Sequence, residues 1–127
     1  MEEQRKKILI VDDSEMNREI LVSMLEDEYD LIQAEDGQQA VYIMSEHYME
    51  LSLLLLDMNM PVMNGYEAAK QIRALDDPAL AEITILAMTA NAFDEDRKKA
   101  LECGMDGFLS KPIVIEELIH TLQTNLK

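Results

Sequence analysis

The stretch LSLLLLDMNMPVMNG, Leu51 to Gly65, constrains the fold more tightly than any other part of this chain. Its four consecutive leucines, Leu53 to Leu56, show no two-residue alternation. A half-buried strand would alternate apolar and polar side chains. An unbroken run suits a strand covered on both faces, as in a parallel sheet. Leucine would also suit a buried helix, but the run is too short for a typical one, and Pro61 closes it by biasing Met60 away from helical geometry. The run ends in a carboxylate, Asp57. That residue then lies at the carboxyl end of a central strand, the edge at which open α/β sheets bind ligands. The competing role for Asp57 is a helix cap. It is the weaker reading, because the next helix starts better at Asn64, with Glu67 as its capping-box partner. Asp57 is therefore expected to face solvent at the sheet edge, in a functional role.

The 127 residues fit a single domain, 1–127, with a core from about residue 7 to 126. A lone cysteine, Cys103, excludes an internal disulfide framework and reads as a small packed residue. His47 and His120 lie far apart and read as solvated or packed side chains. The ten methionines are scattered and read as core filler. A formal net charge of −15 repels DNA and anionic membrane surfaces, so direct nucleic-acid binding and membrane contact are not expected. No apolar run approaches membrane-spanning length, and MEEQRKK lacks the apolar region of a signal peptide. The expected location is cytoplasmic.

Strand and helix signals alternate along the chain. Lys7 to Val11 is an apolar, β-branched run closed by Asp12-Asp13-Ser14, and Ser14 or Asp13 can cap the helix after it, about Glu15 to Asp27. Tyr29 to Ala34 reads as a short strand, Asp36-Gly37 as a turn, and the helix to about Glu46 turns Ala40, Val41 and Met44 inward. After the Leu51–Asp57 strand and the Asn64–Leu75 helix, Asp76-Asp77-Pro78 is a break. Ile83 to Met88 is a strand ending in Thr89-Ala90. Asn91 to Cys103 is helical, with Gly104 as its cap. Gly107 to Ser110 is the last strand, and the closing helix, Ile115 to Leu126, has Ile115, Leu118, Ile119 and Leu122 on its apolar side. This βα alternation predicts a parallel sheet with helices on both faces.

Polar residues gather where these strands end: Asp12 and Asp13, Asp57, Thr89 and Lys111. In a parallel sheet those ends share one edge, so residues distant in sequence converge. Crowded carboxylates repel one another, and a hard divalent cation relieves this. Mg²⁺ suits one or two carboxylates with waters and phosphate oxygens. With Lys111 as a point charge and Thr89 as a hydroxyl donor, the set describes a phosphoryl-binding site in which Asp57 is the nucleophile. Taken singly, Asp13 or Ser14 could be a cap, Lys111 a surface lysine and Thr89 a strand-end residue. Their coincidence on one edge favours function.

The set Asp12-Asp13, Asp57, Thr89-Ala90 and Lys111-Pro112, with the DMNMPVMNG run, resembles the receiver domain of two-component response regulators from Lys7 to about Leu126. The Thr89-Ala-Asn-Ala-Phe, Gly104-Met-Asp and Lys111-Pro-Ile segments are most similar to receivers of hybrid sensor histidine kinases. The resemblance implies a flavodoxin-like (βα)5 three-layer sandwich with strand order 2-1-3-4-5. It implies that Asp57 accepts a phosphoryl group from a phosphohistidine on a histidine kinase or histidine phosphotransfer protein. Asp13, Asp57 and the Asn59 carbonyl would hold Mg²⁺, with Asp12 acting largely through water. Lys111, the Thr89 hydroxyl and the Ala90 amide would hold the phosphoryl oxygens. Such a domain catalyses its own aspartyl phosphorylation and dephosphorylation; kinase activity belongs to another domain or a partner. Dimerisation on phosphorylation is one outcome the resemblance allows. Thr89 and Phe108 would form the switch. Phe108 stands where the family often has tyrosine; it can swing inward but has no hydroxyl to bond in either position. A cis Lys111–Pro112 bond is also implied.

Two other functions compete. An aspartyl-nucleophile phosphatase commonly carries a second acid two residues after the nucleophile; here that position is Asn59, which cannot protonate a leaving group. A pseudo-receiver acting purely by interaction would not need the intact acidic set, Thr89 and Lys111. On the helix after Asp13, taking about 100° per residue, Met16, Ile20, Met24, Leu21 and Leu25 span an apolar arc of ~180°, wider than one sheet covers. Met16 and Ile20, nearest the acidic edge, are expected to reach the surface and dock a partner helix; the alternative places both in the core.

Overall fold

The computed structural model describes residues 6–46, 51–57, 65–74, 83–89, 98, 101–102, 104–110 and 113–125. Within them, five strands form one parallel sheet: β1 (Lys7–Val11), β2 (Asp30–Ala34), β3 (Leu51–Asp57), β4 (Thr84–Thr89) and β5 (Gly107–Ser110). Their spatial order is β2-β1-β3-β4-β5, as expected. Four helices are described: α1 (Glu15–Leu25), α2 (Gly37–Glu46), α3 (Gly65–Arg73) and α4 (Ile115–Asn125). Lys98, Leu101 and Glu102 are also helical, within the stretch expected to form a helix before β5.

The leucine run does what its lack of alternation predicts. Leu54 and Leu56 point to one face of the sheet and join Leu9, Val11, Ala40, Met44, Ala68, Ala69 and Ile72 under α2 and α3. Leu53 and Leu55 point to the other face and join Ile8, Ile10, Leu21, Leu25, Leu118 and Leu122 under α1 and α4. All four leucines are fully buried, because β3 is the middle strand and has helices on both sides.

The boundaries shift where end effects win. Helix α1 stops at Leu25, earlier than Asp27. Glu26, Asp27 and Glu28 bring negative charge to the negative end of the helix dipole, with no basic residue in the last turn to offset it. The N–H groups of Glu28 and Tyr29 instead turn back to the Leu25 carbonyl, so β2 starts at Asp30. Strand β4 starts and ends one residue later than expected, which makes Thr89 its last residue. Ile115 is 42% exposed, not part of the apolar side of α4, because Leu118 and Leu122 fill the contact with the sheet and Ile119 only partly joins them. His120 is exposed. His47, Cys103, the Asn64 cap and the Asp76-Asp77-Pro78 break lie outside the described residues.

On α1, Met16 is 71% and Ile20 44% exposed, whereas Leu21 and Leu25 are buried and Met24 is partly covered. Among the described residues no helix is long and apolar enough to cross a membrane.

Candidate functional site

The site is assembled from strand ends. Val11 is level with Leu56 across the β1–β3 pair, so Asp12 leaves β1 beside Asp57 at the end of β3. Asp57 is level with Met88, so Thr89 follows directly at the end of β4. Thr89 pairs with Ser110, which brings the residue after β5 to the same edge.

The chain turn after β1 is closely tied. The Asp12 N–H donates to the Ala34 carbonyl at 3.2 Å, extending the β1–β2 pairing by one bond. Asp12 Oδ1 accepts the Ser14 N–H at 2.9 Å, an Asx-type turn. Ser14, rather than Asp13, caps α1: its Oγ accepts the Asn17 N–H at 3.3 Å. Asp13 is thereby left exposed at the edge with its carboxylate available.

Asp57 does not face solvent. It is 1% exposed, and the neighbouring Asp12 and Thr89 are 1% and 2% exposed. The expectation of a solvent-facing Asp57 is thus corrected: the last residue of a central strand is enclosed by the strand ends on either side.

Asp12, Asp13 and Asp57 each offer a carboxylate oxygen within 4.8 Å of the others. Two of the three are buried, so water screens their mutual repulsion poorly. Opposite oxygens around one Mg²⁺, each at ~2.1 Å, stand ~4.2 Å apart. The donor set, all hard oxygens at nearly that spread, fits a small hard cation with part of its shell left to water. Asn59, Ala90, Lys111, the Lys111–Pro112 peptide and the Phe108 side chain lie outside the described residues.

Sequence reading missed Arg18. It is buried and its Nη1 donates to the Asp12 carbonyl at 2.7 Å. The signal was present. On the helical arc set out from Met16, Arg18 falls near ~200°, beside Leu25 on the inward side.

A five-stranded parallel sheet of order 2-1-3-4-5, with a cluster of carboxylates at its carboxyl edge, defines a flavodoxin-like α/β protein with an acidic site at its strand ends. The chain matches the response regulator receiver domain over residues 8–123 and belongs to that family, whose members serve two-component and phosphorelay systems. Sensor histidine kinase RcsC of Escherichia coli strain K12 is 36% identical over 116 residues, a match covering 91% of this chain and 12% of that protein. The chain therefore spans about 12% of the length of the first curated relatives it matches. The receiver domain of sensor histidine kinase PA1611 from Pseudomonas aeruginosa superposes with a TM-score of 0.85 at 33% identity, covering 96% of this chain and 98% of that one. That structure has a magnesium ion coordinated in its active site cleft. A co-crystal structure from Saccharomyces cerevisiae, of the histidine phosphotransfer protein Ypd1 with the receiver domain of the response regulator Ssk1, matches with a TM-score of 0.86 at 33% identity. It covers 95% of this chain and 88% of that one.

Proposed function

We propose that this chain, acting as one unit over 1–127, is a phosphoacceptor switch in which Asp57 takes a phosphoryl group from a phosphohistidine. The donor is a histidine kinase or a histidine phosphotransfer protein, the kind of partner seen with the Ssk1 receiver. The observation that carries the reading is the convergence of Asp12, Asp13 and Asp57 within 4.8 Å, beside the buried Thr89.

In the transfer, an oxygen of the Asp57 carboxylate forms a bond to phosphorus while the phosphorus–nitrogen bond of the donor breaks, and the bond's electrons return to the imidazole, which takes up a proton. Asp13, Asp57 and the Asn59 carbonyl would hold Mg²⁺, with Asp12 acting through water, and the ion would supply charge neutralisation of the phosphoryl oxygens. Lys111 adds a point positive charge, and the Thr89 hydroxyl and Ala90 amide donate hydrogen bonds to the same oxygens.

The switch follows from Thr89. Its hydroxyl, drawn to a phosphoryl oxygen, vacates space for Phe108, and the ligand shifts populations by its differential affinity for the two arrangements. Met16 and Ile20, apolar and exposed within the first turns after Asp13, offer a docking patch for the donor's helix.

Incubation with a small acyl phosphate and Mg²⁺ tests the reading. The wild-type chain should gain one phosphoryl-sized mass, and Asp57→Asn should gain none. Equal labelling of that variant would falsify the assignment, and absence of labelling in the wild type would favour a pure interaction module.

A further inference from the structure

Arg18 is the only lysine or arginine buried among the described residues, at 8% exposure. Its donors reach one edge of the sheet. Nη1 donates to the Asp12 carbonyl at 2.7 Å and Nε to Gln33 Oε1 at 3.1 Å, while Nη2 lies 3.9 Å from Glu35 Oε1. Gln33 lies near the end of β2 and Glu35 directly after it. The guanidinium therefore bridges the carboxyl ends of β1 and β2, at the edge that carries the acidic cluster.

We propose that Arg18 is a positioning residue for this cluster, holding the Asp12–Asp13 peptide so that both carboxylates are aimed at the cation and at Asp57. The role rests on the reading that the cluster binds Mg²⁺. The Asp12 N–H is already given to Ala34, and Asp12 Oδ1 already accepts from Ser14. The carbonyl is the remaining main-chain group of Asp12, and it belongs to the peptide plane that joins Asp12 to Asp13. Fixing it restrains both side chains together. A planar fork that donates at several angles does this; an ammonium, a point charge, does it less well. A buried cation is costly, and an apolar side chain of similar volume would fill the space under α1 as well.

Arg73 provides the control. It is a comparably dense clamp at the opposite edge, donating to the Ile83 carbonyl at 2.6 Å, to the Gly104 carbonyl at 2.9 Å and to Asp106 Oδ2 at 2.9 Å. Mg²⁺ affinity is measured by titration calorimetry on the whole chain, with MgCl₂ as the probe and folding followed by circular dichroism. Arg18→Met should stay folded and bind Mg²⁺ roughly 10–100-fold more weakly, the usual effect of losing a group that orients metal ligands. Arg73→Met should melt at a lower temperature with its Mg²⁺ affinity unchanged. An Arg18→Met affinity within about twofold of wild type overturns the proposal, as does an equal loss in Arg73→Met. If Arg18→Met does not fold, Gln33→Met decides, because Gln33 is exposed and its loss removes only one restraint on the guanidinium. A several-fold weaker affinity supports the role, and no change overturns it. Wild-type protein that fails to bind Mg²⁺ removes the magnesium reading and this role together. Wild-type binding that Arg18→Met leaves intact removes this role alone.

Discussion

At Asp57 burial and charge compete. Its carboxylate is enclosed at 1% exposure within 4.8 Å of those of Asp12 and Asp13, so the native state holds like charges close together in a poorly screened place. Asp57→Asn keeps the shape and removes one of the charges. We expect this variant to melt higher than wild type in metal-free buffer, by about 3–6 °C for ~1 kcal/mol of relieved repulsion, and to lose most of the further stabilisation that wild type gains from Mg²⁺. Calorimetric melting with a chelator and then with excess MgCl₂ checks both halves. A metal-free melting temperature below wild type would mean that the carboxylate is a net stabiliser and the cluster is not strained.

At the scale of elements, two features of the helices have separate consequences. Helix α1 carries more apolar residues than the sheet can cover, and Met16 and Ile20 are the ones left out, at 71% and 44% exposure. Ile20→Glu should therefore fold normally and label from a small phosphodonor at the wild-type rate, yet lose transfer from a histidine-phosphorylated protein. Loss of folding, or of both activities together, would sink the docking role. Helix α3 ends in Arg73, whose guanidinium grips the turn before β5 at Gly104. Gly104 has φ +90°, a conformation that L side chains rarely adopt, and an added Cβ would also stand 3.1 Å from Arg73 Nε. Gly104→Ala should cost roughly 1–2 kcal/mol from the backbone alone, read as a lower denaturant midpoint with an unchanged slope. Labelling at Asp57, at the other edge of the sheet, should persist below the melting temperature.

For the molecule as a whole, the governing quantity is a net charge of −15. Self-repulsion on this scale destabilises the compact state, and salt screens it. Sodium chloride should raise the melting temperature gradually over hundreds of millimolar. Magnesium at a specific site should act at far lower concentration, adding about 2.7 kcal/mol at a hundredfold excess over its dissociation constant. Asp13→Asn separates the two effects: because Asp13 is exposed, the variant should keep the sodium response and lose the magnesium one. A magnesium response that survives in Asp13→Asn would point to diffuse screening rather than a site.

The order of the strands and the place of the acidic edge were legible along the chain. Leu53 to Leu56 lack alternation, in a run too short for a typical helix and closed by Pro61, which leaves a strand buried on both faces, and the charged residues fall where the apolar runs stop. Both are local signals with a fixed period. What depends on neighbours emerged only with the packed sheet. Asp57 reads as an edge residue in sequence and is enclosed in the fold, because the ends of β1 and β4 close in beside it. Ile115 fits the helical stripe of α4, yet stays exposed where the sheet contact is already filled. Ser14 and Asp13 were equal candidates to cap α1, and the turn at Asp12 settled the choice in favour of Ser14. Arg18 lay on the inward side of α1 all along. A charge there has no meaning in one dimension; its partners, Asp12, Gln33 and Glu35, come from two strand ends that meet only when the sheet forms.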